Sequence, residues 1–269
     1  MSTIGFIGAG NMAEALVKGI INAKLYQPKD ILISDIRKER LDLLEKEYGV
    51  TPAKDNCDLA GRVDTLVLSI KPQNMADVVK GIKDAVRGDC LVISIMAGVR
   101  IAKISSVLGD KAIVRVMPNT PALIGQGASA LFANAKAKSL MDNATKIFSA
   151  VGKTVIVDNE DLIDSVTAVS GSGPAYFFSL MEEMIKTANG LGLPEEIAKI
   201  LVLQTAKGAA LLADERDKFG ESPAELRRKV TSPGGTTEAA LKVFTAREFD
   251  RIIEQALTSA RDRSKELSG

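Results

Sequence analysis

With 269 residues, 46% of them hydrophobic, the chain has room for one large α/β domain or two modest ones, and two are expected. Its 35 Lys and Arg against 34 Asp and Glu leave a net charge of +1, too weak a field to draw in nucleic acid or an anionic membrane. Histidine is absent, which excludes Ser-His-Asp and Cys-His catalysis, and Cys57 and Cys90 alone cannot complete a four-ligand zinc site, so no metal site is expected.

The start, Met1-Ser2-Thr3-Ile4, leads into a strand-like segment without a basic n-region. No run of about 18 apolar residues follows, so neither export nor a membrane span is expected. Two cysteines fall short of the disulfide density of small secreted domains, and a reducing, cytoplasmic context is expected. Trp is absent and aromatics make up 4%, too few for the stacking platforms that hold single-stranded nucleic acid or sugars.

Up to about residue 160, β-branched runs alternate with helical stretches. The runs are Ile4 to Ile7, Ile31 to Ser34, Thr65 to Ile70, Leu91 to Ile95, Ala112 to Met117, Ser129 to Phe132 and Thr154 to Val157. Several are apolar throughout, as strands covered on both faces are. This βαβ pattern predicts a doubly wound α/β sheet. Past Asp158 the pattern is helical: Tyr176 to Asn189, Glu195 to Leu212, Ala224 to Val230, Glu238 to Ala246 and Glu248 to Leu267. Pro174, Pro194 and Pro223 stand where first helical residues are expected, Gly190 and Gly192 follow a helix end, and Ser222 with Glu225 spells a capping box. The expected division is residues 1–160 and 161–269, the last strand running directly into a long helix.

Ile4-Gly5-Phe6-Ile7-Gly8-Ala9-Gly10-Asn11-Met12-Ala13 is a strand, a Gly-x-Gly-x-x-Ala turn and a helix start. Gly8 permits the tight turn, Gly10 lets a pyrophosphate approach the backbone, and Ala13 allows close packing of helix on sheet. At the first strand of a βαβ series this predicts dinucleotide binding. The second strand ends in Ser34-Asp35-Ile36-Arg37, where the adenosine ribose is expected. Asp35 there favours NAD by accepting from both ribose hydroxyls, whereas Ser34 with Arg37 suits a 2′-phosphate; a solvated Arg37 is the plain alternative. Ser69-Ile70-Lys71-Pro72-Gln73 lies at the carboxyl end of the sheet, where Lys71 either reaches a phosphate or ribose or is an ordinary surface lysine. Met96-Ala97-Gly98 supplies small backbone on the same rim, suited to a nicotinamide or simply to a βα turn.

Val116-Met117-Pro118-Asn119-Thr120-Pro121 reads either as a stiff turn or as a loop presenting Asn119 and Thr120 to the crevice. Ser170-Gly171-Ser172-Gly173-Pro174-Ala175-Tyr176 opens the first long helix with small side chains, for close packing or ligand contact. Thr231-Ser232-Pro233-Gly234-Gly235-Thr236-Thr237-Glu238 interrupts a helical region. Gly234 and Gly235 are expected to offer N–H groups to a small carboxylate, with Thr236 or Thr237 as an N-cap and Glu238 in the first turn.

These motifs, in this order and over essentially the whole chain, resemble the pyrroline-5-carboxylate reductase family, which catalyses the last step of proline biosynthesis. The resemblance rests on Gly5 to Met12, Lys71-Pro72-Gln73, Met117 to Pro121, Ser170 to Tyr176 and Ser232 to Thr237. It implies an N-terminal Rossmann domain using NADPH or NADH. It also implies an all-α C-terminal dimerisation domain that completes the active site with a second subunit, and further assembly, often to a decamer. Carried over by position, cofactor contacts fall on Ile7, Gly8, Ala9, Gly10, Asn11, Met12, Ser34, Asn56, Ser69, Ile70, Lys71, Pro72, Met96 and Ala97, with Asp35 and Arg37 beside them. The substrate's carboxylate and ring nitrogen fall to Ser232, Gly234, Gly235, Thr236 and Thr237, with Thr237 nearest the nitrogen as the catalytic candidate. Many relatives lack an acid at position 35, so Asp35 puts the usual NADPH preference in question.

The absence of histidine fits this chemistry, because an iminium ion is already an electrophile and needs positioning more than acid-base catalysis. The β-hydroxyacid dehydrogenases resemble the N-terminus but carry a lysine four residues after a glycine-rich helix start; here Phe177 stands four after Gly173. A non-catalytic redox sensor explains the glycine turn but gives no use for Ser232 to Thr237.

Overall fold

A computed structural model describes residues 2–268. Its sheet is built from β1 (Ile4–Ile7), β2 (Ile31–Ser34), β3 (Thr51–Pro52), β4 (Thr65–Leu68), β5 (Leu91–Ser94), β6 (Ala112–Met117), β7 (Gly127–Ala133) and β8 (Gly152–Ile156). The spatial order is β3-β2-β1-β4-β5-β6-β7-β8, with all pairs parallel except β6 and β7. The first six follow the order of the Rossmann dinucleotide-binding sheet, with its topological switch between β1 and β4. Ile7 pairs with both Ser34 and Leu68, so β1, β2 and β4 end level and their following loops share one rim.

Helices α1 (Asn11–Asn22), α2 (Lys38–Tyr48), α3 (Asn56–Arg62), α4 (Met75–Ile82), α5 (Ile101–Leu108) and α6 (Met141–Ser149) cover the sheet. Side chains alternate across each strand, which divides the core in two. Ile4 and Phe6 pack with Leu16, Ile20 and Phe148 on one face. Ile7 and Leu66 pack with Leu59, Val79 and Ile104 on the other. The run expected at Thr65 to Ile70 stops at Leu68, and that at Leu91 to Ile95 stops at Ser94, because the chain turns there to form the rim. The two-residue β3, unpredicted, contains a proline and is held at the sheet edge by the Ala53 N–H on the Ile33 carbonyl.

The expected direct passage from the last strand into a long helix does not occur. Between β8 and α8 (Gly173–Gly190) lie α7 (Leu162–Val166) and a π turn, Thr167–Gly171. The hydroxyls of Thr167 and Ser170 donate back to the carbonyls of Ile163 and Val166, and the Ser172 N–H reaches the Thr167 carbonyl. Such back-bonding widens a helix locally, and a Cβ at Gly171 would stand 2.4 Å from Met117 Cε, so a larger residue there would push the methionine end aside.

The chain divides into two units. One runs to Pro174 and takes in the segment from Thr258 onward; the other is Ala175–Leu257. Within the first, Ser264 Oγ donates to buried Asp164 Oδ1 at 2.7 Å. Asp164 also faces Arg115, which is 1% exposed on β6 and paired with Glu160 at 3.1 Å. The second unit holds most of α8, α9 (Glu195–Asp217), α10 (Pro223–Lys229), α11 (Thr236–Ala246) and the start of α12 (Phe249–Ser268). Pro223 opens α10 behind the Ser222–Glu225 capping box, as expected, whereas Pro194 sits just before α9 and Pro174 second in α8. Among its described residues, Ala198 and Val202 are the buried hydrophobics, while Phe177, Ile200, Leu211 and Val243 are all more than half exposed. The unit has almost no core of its own, and its apolar faces require a cover.

Candidate active site

The turn after β1 is shaped by two glycines with different duties. Gly8 has φ +95°, and a Cβ there would stand 2.6 Å from the Ser69 carbonyl oxygen, so no other residue fits. Gly10 has open space above it: nothing lies within 4 Å of where its Cβ would be. It is also the N-cap of α1, and no side chain caps that helix, so the first-turn N–H groups are presented outward with the positive end of the helix dipole. Ala13 is fully buried, which lets α1 lie close on the sheet. An open backbone over an uncapped twelve-residue helix fits a pyrophosphate.

The turn is pinned by its neighbours. The Gly8 N–H donates to the Ser34 carbonyl at 2.8 Å, and Ser69 donates through N–H and Oγ to the Ile7 carbonyl and through Oγ to that of Gly8. The Ala9 peptide is held at both ends: its N–H donates to Asp35 Oδ2 at 2.8 Å and its carbonyl accepts from Arg40 Nε at 2.9 Å. Arg40 in turn pairs with Glu14 at 2.7 Å, and the Tyr48 hydroxyl donates to the same carboxylate. Sequence reasoning missed Glu14, Arg40 and Tyr48; the available signal was an acid and a base each in the first turn of successive helices.

At the end of β2, burial pushes the Asp35 carboxyl up, but hydrogen bonds from the Arg37 side chain and N–H and from the Ala9 N–H, with the Arg37 charge, outweigh it and hold the group at about 2. Arg37 forks onto Asp35 through Nε at 3.0 Å and Nη2 at 3.1 Å. Buried Ser34 donates to Asn56 Oδ1 at 2.7 Å, which brings the start of α3 to the same place. Ile36, between the two charged residues, is 97% exposed.

Along the rim, Ile70 is half-buried, while Lys71 and Pro72 are exposed at a short 3₁₀ turn. Met96 is buried and Ala97 exposed. Gly98, expected as small backbone for a nicotinamide or a βα turn, has a packing duty: its φ is +66°, and a Cβ there would meet Leu267 Cβ at 2.9 Å. Asn11 is exposed and Met12 half-buried at the mouth of the turn. The structure thus gathers Ile7, Gly8, Ala9, Ser34, Asp35, Arg37, Asn56 and Ser69 by hydrogen bonds around β1 and its two neighbours, and Gly10, Asn11 and Met12 continue the same turn into α1.

Asn119 does not present its amide to a crevice. Its Oδ1 accepts from the Ala128 N–H at 2.8 Å and its Nδ2 donates to the Ser170 carbonyl at 3.1 Å.

In the second unit, α11 begins at Thr236 with Gly235 as N-cap, so neither Thr236 nor Thr237 caps it. The glycine amides expected to stand open are occupied. The Gly234 N–H donates to Glu238 Oε2 at 2.8 Å, and the Gly235 N–H to the Ser232 carbonyl at 3.0 Å. The reason is the positive φ of Gly234, +73°, which turns its amide toward the first turn of the helix, where Glu238 is the nearest anion. Thr237 is half-buried; Ser232 and Thr236 are exposed. Among the described residues, no group of three or more His, Cys, Asp or Glu is placed to hold a metal ion, and no helix is long and apolar enough to cross a membrane.

Residues 160–267 match the family model described as pyrroline-5-carboxylate reductase dimerisation, and residues 3–98 match one described as NADP oxidoreductase, coenzyme F420-dependent. The chain is 46% identical to a pyrroline-5-carboxylate reductase of Pseudomonas aeruginosa over 100% of its own length and 98% of the relative's. It is 42% identical to one of Synechocystis over 98% and 97%. Among solved structures, a pyrroline-5-carboxylate reductase from Coxiella burnetii superposes with a TM-score of 0.92 at 42% identity, covering 100% of this chain and 99% of that one. A Plasmodium falciparum pyrroline carboxylate reductase solved with NADP bound gives 0.88 at 30% identity, covering 100% and 98%. With full-length relatives at this identity and a dimerisation match over its helical half, the chain belongs to the pyrroline-5-carboxylate reductase family.

Proposed function

We propose that the chain carries out its family's reaction through the residues placed above: NAD(P)H-dependent reduction of 1-pyrroline-5-carboxylate to L-proline, the last step of proline biosynthesis. The observation that carries this reading is the open, uncapped start of α1 over Gly10 in a chain that aligns end to end with pyrroline-5-carboxylate reductases. The dinucleotide lies along Ile7 to Met12, with its adenosine end at Ser34, Asp35, Arg37 and Asn56 and its nicotinamide end toward Ser69, Ile70, Lys71, Pro72, Met96 and Ala97. When bound, the reduced nicotinamide supplies a hydride to the imine carbon of the substrate.

The chain's own contribution is orientation. Ser232, Gly234, Gly235 and Thr236 hold the substrate carboxylate, and Thr237 donates to the ring nitrogen or passes it a proton from water. The Glu238 carboxylate resting on the Gly234 N–H supports this assignment, since that N–H already donates to an anion of the same chemistry. Substrate binding then exchanges one carboxylate for another.

Residues 1–160 serve as the dinucleotide-binding domain and residues 161–269 as the substrate and dimerisation domain; the dimerisation match over 160–267 supports the division. The helical unit, whose described residues bury so little apolar surface, works as a homodimer, with further assembly to a decamer, in the cytoplasm. The test is oxidation of NADH or NADPH by the purified protein with pyrroline-5-carboxylate present. Substrate-dependent loss of reduced-nicotinamide absorbance is expected; cofactor binding without it overturns the reading.

A further inference from the structure

We propose that the last turns of α12 position the nicotinamide: Ser264 and Leu267 are positioning residues that hold the loop after β5 in the shape that presents Ala97 to the ring. The inference rests on the proposed placement of the nicotinamide end at Met96 and Ala97.

That loop alternates in depth. Met96 is 2% exposed and Val99 3%, both within the core on one face of the sheet, and Gly98 is buried, whereas Ala97 among them is exposed. Burial of Met96 and Val99 fixes the ends of this stretch, and α12 fixes its middle. Gly98 has a φ of +66°, and from where its Cβ would stand Leu267 Cβ lies at 2.9 Å and the Leu267 carbonyl carbon at 3.3 Å. The helix closes over the loop with its backbone and not with a movable side-chain end. Leu267 itself is 55% exposed, so hiding its own apolar surface is not what places it there.

Ser264 stands one turn earlier on the same face of the helix. It is 4% exposed and donates to Asp164 Oδ1 at 2.7 Å, an acid with no exposure of its own. Residues 160–164 in turn hold the far end of the loop. Asp161 pairs with Arg100 at 2.7 Å, and Glu160 Oε1 accepts from the Ile101 N–H at 2.8 Å. Arg100 Nη2 also lies 3.7 Å from Asp164 Oδ2. The helix therefore meets the loop directly at Gly98 and, through Asp164, beside the acids that anchor Arg100 and Ile101. A hydroxyl bonded to a buried carboxylate fixes the height of the helix, since a slip of one residue breaks that bond and lifts Leu267 from Gly98 together. A shift passed on to Ala97 moves the reacting ring, and a misplacement of about 1 Å can cost about a hundredfold in rate.

The experiment compares the full chain with Ser264→Ala and with a chain ending at Glu266, which lacks the Leu267 contact and keeps the Ser264 bond. Three quantities are read: kcat with its isotope effect when the transferred hydride is replaced by deuteride, the emission of bound NADH or NADPH, and the calorimetric affinity for ADP-ribose. ADP-ribose carries the adenosine and pyrophosphate without the nicotinamide, so it reports the rest of the cofactor site. Each variant is expected to lower kcat about ten- to a hundredfold, to raise the isotope effect as hydride transfer becomes the slow step, and to alter the emission, with ADP-ribose affinity unchanged. Unchanged kcat, isotope effect and emission in either variant overturns the proposal. So does a loss of ADP-ribose affinity in step with kcat, which is what a loosened domain gives. Emission is read without turnover, so a parent chain that binds cofactor but does not reduce the imine overturns the proposed function, and altered emission at constant ADP-ribose affinity still upholds this placement. A parent chain that reduces the imine, with variants that match it, overturns this placement alone.

Discussion

Asn119 is bonded to Ser170 across the first unit: its Nδ2 donates to the Ser170 carbonyl at 3.1 Å while its Oδ1 accepts from Ala128 at 2.8 Å. One side chain therefore ties the loop after β6, the strand β7 and the π turn before α8. Asn119→Ala leaves one N–H and one carbonyl without a protein partner, at a cost of about 1–3 kcal/mol each where water cannot replace it. The expected outcome is a lower urea midpoint with an unchanged denaturant slope, together with reduced turnover. Turnover lost with no change in the midpoint would instead give Asn119 a direct role in the chemistry.

Arg115 sets the charge balance behind the sheet. At 1% exposure it faces Glu160 and fully buried Asp164, and Asp164 also accepts from Ser264 of the last helix. Removing one member of such a cluster strands the opposite charge, a cost of about 3–5 kcal/mol. Arg115→Ala is expected to unfold at distinctly lower urea than Ser264→Ala, which removes a single hydroxyl donor. Equal midpoints would show that solvent reaches the cluster.

Thr237 is half-buried in the first turn of α11. If it holds the imine nitrogen, Thr237→Ala lowers kcat by about ten- to a hundredfold, near the lower range for a positioned proton donor, and leaves cofactor dissociation constants unchanged. Thr237→Ser restores most of the rate because the hydroxyl returns. Steady-state kinetics beside fluorescence titration separates these effects, and an undiminished kcat in the alanine variant removes Thr237 from the mechanism.

Glu238 now occupies the Gly234 amide at 2.8 Å. Glu238→Ala frees that donor and is expected to lower the KM for pyrroline-5-carboxylate several-fold. The start of α11 loses about 0.3–1 kcal/mol of favourable charge at the same time. An unchanged KM places the substrate carboxylate elsewhere.

Asp35 predicts an acid limb in stability. Its folded-state carboxyl sits at about 2, below the ordinary 3.8, so its contribution is complete above about pH 4 and is lost as the pH falls through about 2. Urea stability measured against pH for the parent chain and Asp35→Asn should differ most near neutrality and narrow as the pH falls through about 2, where the folded carboxyl is half protonated. A difference that does not narrow between neutrality and pH 2 would attribute the effect to shape and not to charge.

The sheet was legible because its signals are local. β1, β2 and β6 are apolar runs ended by turn residues, and the glycine pair of the first turn announces both its tight φ and its open backbone. What stayed hidden depends on meetings between distant residues. The π turn is bonded back through the Thr167 and Ser170 hydroxyls to Ile163 and Val166, and Asn119, open in sequence between a stiff turn and a crevice-facing amide, has both of its ends used by Ala128 and Ser170. Asp35 and Arg37 gave opposed readings in sequence because charge alone does not show which oxygen is taken. The Ala9 N–H and the Arg37 fork supply that information, and neither is encoded in residue type. At Ser232 to Thr237 the glycines and hydroxyls were plain, but Glu238 was read only as a first-turn acid and not as the occupant of the Gly234 amide.

The near absence of a core in the Ala175–Leu257 unit, where Ala198 and Val202 are the buried hydrophobics among the described residues, carries a genetic consequence. A helical layer that pairs with a second copy, as the dimerisation match over 160–267 supports, ties the fate of each gene product to that of its partner. Subunits encoded by two alleles in one cell will mix, and a variant that still pairs but cannot react will inactivate sound copies. Loss-of-function substitutions in the helical half should therefore divide into recessive ones that abolish pairing and dominant ones that preserve it.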